Sequence, residues 1–212
     1  LKTLYKLSRT LAFTDVKHFL DAAHQKQFKA KEYIIEEGET RKQVYLVQRG
    51  LVRVFALMET GIEKTMSLKA EHQIFASPDL YLFDQPSRFY FQALEPTTTW
   101  CIDDDVLQRI LSKNEVFEQH RKQIHLSMLK EAHERIESFV LYSPEERYMR
   151  YVKDFPDIVN RAPDKYIANV LGITPVSLSR IRKRIVQKKH WIVTNLSFVN
   201  VFVDEGCVLW AH

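Results

Sequence analysis

Between Thr174 and Ile185 the chain reads Thr-Pro-Val-Ser-Leu-Ser-Arg-Ile-Arg-Lys-Arg-Ile. Leu178, Ile181 and Ile185 recur at three- and four-residue spacing, which gives a helix one apolar stripe. The remaining face carries Ser177, Ser179, Arg180, Arg182, Lys183 and Arg184. Guanidinium, ammonium and hydroxyl groups at this density suit anionic oxygens. Arg and Lys neutralise phosphates, and an Arg fork also matches the paired acceptors of a guanine edge. Thr174 suits the helix cap, and Pro175 the first turn, where a missing N–H costs nothing.

The charge distribution points the same way. From Arg161 to Lys189, eight basic residues stand against Asp164 alone. That segment is net +7 in a chain of net +4, so the remainder is −3. A solvated helix face is the ordinary meaning of a charge run, and a phosphate-contacting surface is the sharper one.

The preceding residues position this helix. Ile167, Val170 and Leu171 give a first helix its apolar side, and small Ala168 allows a second helix to come close. Gly172 falls where the chain must turn sharply. Two helices crossing at a Gly-containing turn, the second basic on its free side, make a helix-turn-helix. The geometry predicts Lys165, Arg182, Lys183 and Arg184 on phosphates, and Val176, Ser177, Ser179 and Arg180 at base edges.

Upstream, residues 1–27 have helical spacing through Leu4, Leu7 and Leu11, with Thr14 capping a second short helix that carries Phe19 and Leu20. From Phe28 the period changes. Short β-rich runs at 33–35, 43–48, 51–57, 62–68, 89–94 and 97–102, separated by turns, predict an antiparallel sandwich or barrel. Asp103 to Asp105 suit a helix start. A long helix is predicted from about Val116 to Leu141. One stripe, Leu126, Leu129, His133, Ile136 and Val140, keeps a 3-4-3-4 spacing, and a second holds Ile124, Met128 and Ala132. A helix apolar on two sides beside a β-domain is most simply a dimer helix. Ser143-Pro144-Glu145-Glu146 is a capping box, with the domain boundary at residues 141–144.

Several classes are excluded. With 45% hydrophobic and 27% charged residues the chain is not a mostly disordered one. No uncharged apolar run nears the roughly 18–20 residues that span a bilayer. No secretory pattern opens the sequence, so a reducing cytoplasm is expected. Two cysteines, Cys101 and Cys207, make neither a disulfide framework nor a four-thiolate cluster. His72, His120, His125 and His133 lack metal-box spacing, and residues 28–102 offer a cupin-like enzyme only His72. No catalytic set, metal or cofactor is therefore assigned.

Tyr33-Ile34-Ile35-Glu36-Glu37-Gly38-Glu39, the stretch Val44 to Val54 and the helix-turn-helix together resemble the cyclic-AMP receptor/fumarate–nitrate regulator (CRP/FNR) superfamily, over residues from about 10 to 187. Ser143 to Tyr148 and Tyr166 to Ile185 are similar to a branch common in Bacteroidetes. The resemblance implies an α+β fold. Residues 1–115 would form an antiparallel, jelly-roll-like β-roll sensor of cyclic-nucleotide-binding type. Residues 116–142 would be a dimerisation helix. Residues 143–212 would be a helix-turn-helix or winged-helix DNA reader whose apolar tail, 191–212, could form a β-hairpin. The partners implied are double-stranded DNA, a second copy of the chain and an unidentified small-molecule effector, with no membrane.

The departures are specific. The superfamily's Gly-Glu-Leu for the ribose matches, by length, Ala76-Ser77-Pro78, and its Arg-Ser for the cyclic phosphate matches Ser87-Arg88. The Gly and Glu are absent, and the Arg stands one place late, which in a strand turns it to the other face. Cyclic AMP is not the expected effector. Candidate effector residues are Ser77, Asp79, Ser87, Arg88 and His133. At the reading helix Val176 replaces a common Glu, while Arg180 matches the base-reading Arg. The alternative function is a ligand-binding β-roll that regulates a protein partner without touching DNA.

Overall fold

The computed structural model describes residues 22–111 and 115–187. Its strands are β1 (His24–Phe28), β2 (Tyr33–Ile35), β3 (Gln43–Arg49), β4 (Val52–Leu57), β5 (Glu63–Lys69), β6 (Ile74–Phe75), β7 (Tyr90–Ala93) and β8 (Thr97–Asp103). They form two four-stranded sheets, ordered β1-β8-β3-β6 and β2-β7-β4-β5. Every pairing is antiparallel. A short helix, α1 (Pro78–Phe83), interrupts the strands, and α2 (Asp104–Leu111) follows them. Then come α3 (Glu115–Leu141), α4 (Pro144–Asp154), α5 (Pro156–Arg161) and α6 (Asp164–Val170). The last described helix, α7, is residues 175–187.

Period-two alternation builds the roll. Tyr45, Val47, Val52, Val54, Phe75, Phe91 and Cys101 converge in one buried cluster between the sheets. Tyr45, Phe75 and Phe91 stack in series, with ring centroids 5.1 and 5.5 Å apart. β4 is different, because residues 52–55 are buried on both faces. Its inner face joins that cluster, while neighbouring Leu51, Leu68 and Ala70 join Tyr148, Ile158, Ile167, Leu171, Leu178 and Ile181 in a second core. A continuous apolar strand implies cover on both sides, and here the second cover is helical. The change of element at residue 143 is thus not a break in packing, since the roll's outer face and the helical segment share one core.

The capping box at Ser143 is present in full. Ser143 Oγ accepts the Glu146 amide, and the Glu146 carboxylate accepts the Ser143 amide at 2.8 Å. One local expectation is corrected, and two short elements are added to those expected. Helical spacing to residue 27 gives way to β1, whose five residues pair with β8 from His24↔Cys101 to Phe28↔Thr97. His-Gln-Lys-Gln-Phe has no hydrophobic period of its own, and the open edge of β8 decides its conformation. The two-residue strand β6 carries too few residues to show a period. Helix α1 opens on Ser77-Pro78-Asp79, the same cap-and-proline pattern as Ser143-Pro144-Glu145. The readings at Thr14, Phe19, Leu20, Cys207 and the 191–212 hairpin lie outside the described residues, as do the side chains of His120, Ile124, His125 and Met128.

Gly50 links β3 to β4 at φ +113°, a conformation closed to L side chains. A Cβ there would lie 2.4 Å from Thr97 Oγ1 and 2.7 Å from Thr97 Cα, the latter backbone that cannot swing aside. Gly50→Ala should therefore lower stability by about 2–4 kcal/mol, from strain and overpacking together. A urea titration measures this as a lower midpoint at unchanged slope.

Candidate functional site

The helical hairpin, α6 and α7, and the preceding α5 are held to the roll by three contacts. Arg53 of β4 is 2% exposed and lies between two rings, 4.1 Å from the Phe55 centroid and 4.0 Å from that of Tyr166 on α6. Its guanidinium donates to Glu63 at 2.6 Å and to Thr65 Oγ1 at 2.8 Å, so the buried charge is fully engaged. Asn169 Oδ1 accepts the Thr65 amide at 3.1 Å, tying α6 to the β5 backbone. At the other flank Arg161 donates to both carboxylate oxygens of Glu71, at 2.7 and 3.0 Å, and also to Glu95. Burial works against the ionised Glu71, but the hydrogen bonds from Arg161 and from the Gly50 amide outweigh it and bring its pKa down from 4.5 to about 2. The same two carboxylates hold Arg161 above its ordinary value.

The turn of the hairpin is gripped from α3. Gly172 has φ +67°, and a Cβ there would come within 2.4 Å of the Phe139 ring. Arg147 donates to the Leu171 carbonyl at 3.1 Å and lies over the Phe139 ring. Arg135, one helical turn before Phe139, reaches the Val170 carbonyl at 3.4 Å. Burial lowers the Arg135 pKa below the usual guanidinium value, against the nearby charge of Glu131.

These anchors leave α7 with one buried and one open side. Leu178 and Ile181 are 0% and 2% exposed. Thr174 is the cap, its Oγ1 accepting the Ser177 amide at 3.1 Å and lying 3.0 Å from the Ser177 hydroxyl. Val176, Ser179, Arg180, Lys183 and Arg184 are exposed, and Ser177 is half-buried. Lys165 is exposed at the start of α6, its ammonium over the Tyr166 ring. Arg184 meets Glu145 at 3.4 Å at the surface. Arg182 is placed otherwise. It donates to Asp164 at 2.7 Å and to the Tyr148 hydroxyl at 3.0 Å, which turns it toward the α4–α6 side. Arg161 and Arg182 therefore spend their charge on acids of the chain. The outward positive field rests on Lys165, Arg180 and Lys183, with Arg184 partly offset by Glu145.

In the roll, Arg88 lies in the loop before β7 and not in a strand, so strand register does not set its direction. Ser87 is buried and Arg88 is exposed, with two guanidinium N–H groups donating to Oδ1 of buried Asp79 at 2.8 and 3.0 Å. Asp79 also accepts the Arg88 amide at 2.9 Å. Ser77 Oγ donates to Ser87 Oγ, which donates to the Phe89 carbonyl, both at 2.9 Å. His133 is exposed on α3. None of these five lines the main cavity of the roll, a space of about 680 Å³ between its apolar walls, α1 and α3. Met66, Phe75, Phe83, Phe89, Phe91 and Leu129 form much of its wall, with Lys69, Glu131 and Arg135 as its charged residues. Among the described residues no group of His, Cys, Asp or Glu is placed to hold a metal ion. No helix among them is long and apolar enough to cross a membrane.

Arg53 and Arg135 are the residues that sequence reasoning passes over. Leu51-Val52-Arg53-Val54-Phe55, apolar on both faces around one Arg, is the signal for the first. Arg135 carries no such mark, because its neighbours come from the roll and the hairpin.

Residues 25–114 match the cyclic nucleotide-binding domain family. No curated protein matches the chain. Among solved structures, FixK2 from Bradyrhizobium japonicum is 18% identical, with a TM-score of 0.67, covering 79% of this chain and 86% of its own. CLP, a c-di-GMP-responsive global regulator from Xanthomonas campestris, is 13% identical, with a TM-score of 0.62 and coverage of 84% and 93%. A protein from Eubacterium rectale assigned to the Crp/Fnr family of transcriptional regulators is 16% identical, with a TM-score of 0.64 and coverage of 86% and 87%. At these identities the likeness is one of fold.

The Arg161–Glu71 pair makes a prediction about acid. The folded-state pKa of Glu71 is depressed, so its stabilising contribution is present above about 4.5 and is lost as pH falls toward 2. Glu71→Gln should be less stable than the parent near neutral pH, and the difference should shrink steadily across that window. Paired denaturant titrations at several pH values measure it.

Proposed function

We propose that the chain is a homodimeric, sequence-specific DNA-binding transcription regulator of CRP/FNR type, acting in the cytoplasm, whose effector is not cyclic AMP. The observation that carries this reading is the two-sidedness of α7. Its apolar stripe is sealed in the shared core, while Val176, Ser179, Arg180 and Lys183 stand in solvent behind a capped first turn. A rigid rod with a cationic, hydroxyl-bearing free face fits a major groove. In the superfamily resemblance Arg180 occupies the base-reading position. Val176 suits a thymine methyl, and Lys165, Lys183 and Arg184 suit phosphates. Arg182, bound to Asp164, acts chiefly by bracing α4 against α6. The likeness of Ser143–Tyr148 and Tyr166–Ile185 to the Bacteroidetes branch belongs to this same reading.

Dimerisation is supported by α3. Leu126, Leu129, Ile136 and Val140 are between 62% and 74% exposed in the single chain, at the 3-4-3-4 spacing of a helical seam. Water-facing Leu and Ile in such a row favour a second copy of the same helix. Pairing there would set the two α7 helices to read half-sites about 34 Å apart on a pseudo-palindrome. The Xanthomonas and Eubacterium proteins are described as regulators, and the fold similarity to them supports a regulator over an enzyme.

Selection of bound duplexes from a random pool tests the proposal and should return an inverted repeat. Arg180→Ala should cost about 1–3 kcal/mol and relax the preference at one base position per half-site. Lys183→Ala should weaken all duplexes alike and flatten the salt dependence. A motif and affinity for Arg180→Ala equal to those of the parent would refute the assignment of that side chain.

A further inference from the structure

We propose that the cavity of the roll binds a hydrophobic monocarboxylate of fatty-acid type, its chain among the apolar walls and its carboxylate on Arg135. The proposal deepens the regulator reading by naming the class of effector.

Three observations favour this class over a sugar phosphate. First, the polar groups that could cradle one are committed elsewhere. Arg88 is turned out onto Asp79, and Ser77 and Ser87 satisfy each other and the Phe89 carbonyl. A ribose entering the cavity would set its hydroxyls against Phe75, Phe89 and Phe91, where burial without partners is costly. Second, the cavity is large, about 680 Å³, and its wall is largely aromatic and aliphatic, so apolar area drives occupancy. Third, among the described lining residues one cation is left without a carboxylate. Lys69 and Arg135 are the cations, and the carboxylate of Glu131 is bonded to Lys69 at 2.7 Å. Arg135 donates instead to a carbonyl, that of Val170. One negative charge completes the set, and a carboxylate matches the guanidinium fork.

Arg135 also gives such a ligand a route to the reading helix. The carbonyl it bonds is the last of α6, and Phe139 one turn along packs on Gly172 of the hairpin turn. A carboxylate that draws the guanidinium toward the cavity would shift or release that grip.

Calorimetric titration of the full chain with dodecanoate, dodecanol and cyclic AMP tests the ligand class without reference to DNA. Dodecanoate should bind, and dodecanol, equal in chain but uncharged, about tenfold or more weakly. Arg135→Gln should abolish most of that preference while keeping alcohol binding. The parent alone decides the matter if the variant does not fold. Equal affinity for acid and alcohol, no binding of either, or displacement of dodecanoate by cyclic AMP would overturn the proposal. A second arm measures a selected duplex with and without dodecanoate, and its affinity should change several-fold. Dodecanoate binding in a chain that binds no duplex would sink the DNA reading and leave the cavity assignment standing. Duplex binding in a chain indifferent to dodecanoate would do the reverse.

Discussion

Arg53 is the point on which the arrangement depends. A guanidinium at 2% exposure is tolerable only when its charge and its donors are answered, and here the answers come from two parts of the chain. Glu63 and Thr65 on the adjacent strand take its hydrogen bonds, and Phe55 and Tyr166 close its two faces. Tyr166 belongs to the hairpin. Lifting the hairpin away would open one face of that stack to water, and the apolar surface of Leu51, Leu68 and Ala70 with it. The roll and the reading unit are therefore joined by a core, to which the surface pairs at Glu71 and Glu95 add a polar rim.

That junction also decides what the hairpin can offer. Because α6 faces the sheet, α7 is carried on its far side, and its inner stripe is sealed against α6 and α4. The cap at Thr174 and the left-handed turn at Gly172 then fix its direction. Rigid presentation of this kind matters for a groove-reading helix, since base contacts demand defined side-chain origins. The cationic residues divide accordingly. Those near the junction, Arg161 and Arg182, bond to the chain's own acids, while Arg180 and Lys183 remain outward.

Helix α3 sits between the two ends of the molecule. Leu129, Ala132 and Arg135 border the roll's cavity, and Arg135 and Phe139 touch the end of α6 and the turn that follows it. A side chain that both lines a cavity and bonds a helix terminus feels changes at either place. The exposed seam of Leu126, Leu129, Ile136 and Val140 runs along the same helix, so Leu129 belongs to seam and cavity alike.

Much of this was legible in the linear chain. The β runs, the capping box at Ser143, the turn at Gly172 and the stripe of α7 are local, set by alternation, by backbone conformation and by a cap's hydrogen bond to its own first turn. The polar edge strand β1 was not legible, because its conformation depends on a partner more than seventy residues away. Nor were the fates of Arg161 and Arg182, equal to their neighbours as letters but neutralised by acids that only folding brings close. The chain's own residue types determined a β-roll, a long helix and a basic helix with one apolar stripe, since periodicity and capping act over a few residues. Tertiary structure alone decided which charges face solvent, that Arg53 is buried between Phe55 and Tyr166, and that the cavity's charged residues include Arg135, because each requires side chains distant in sequence to meet.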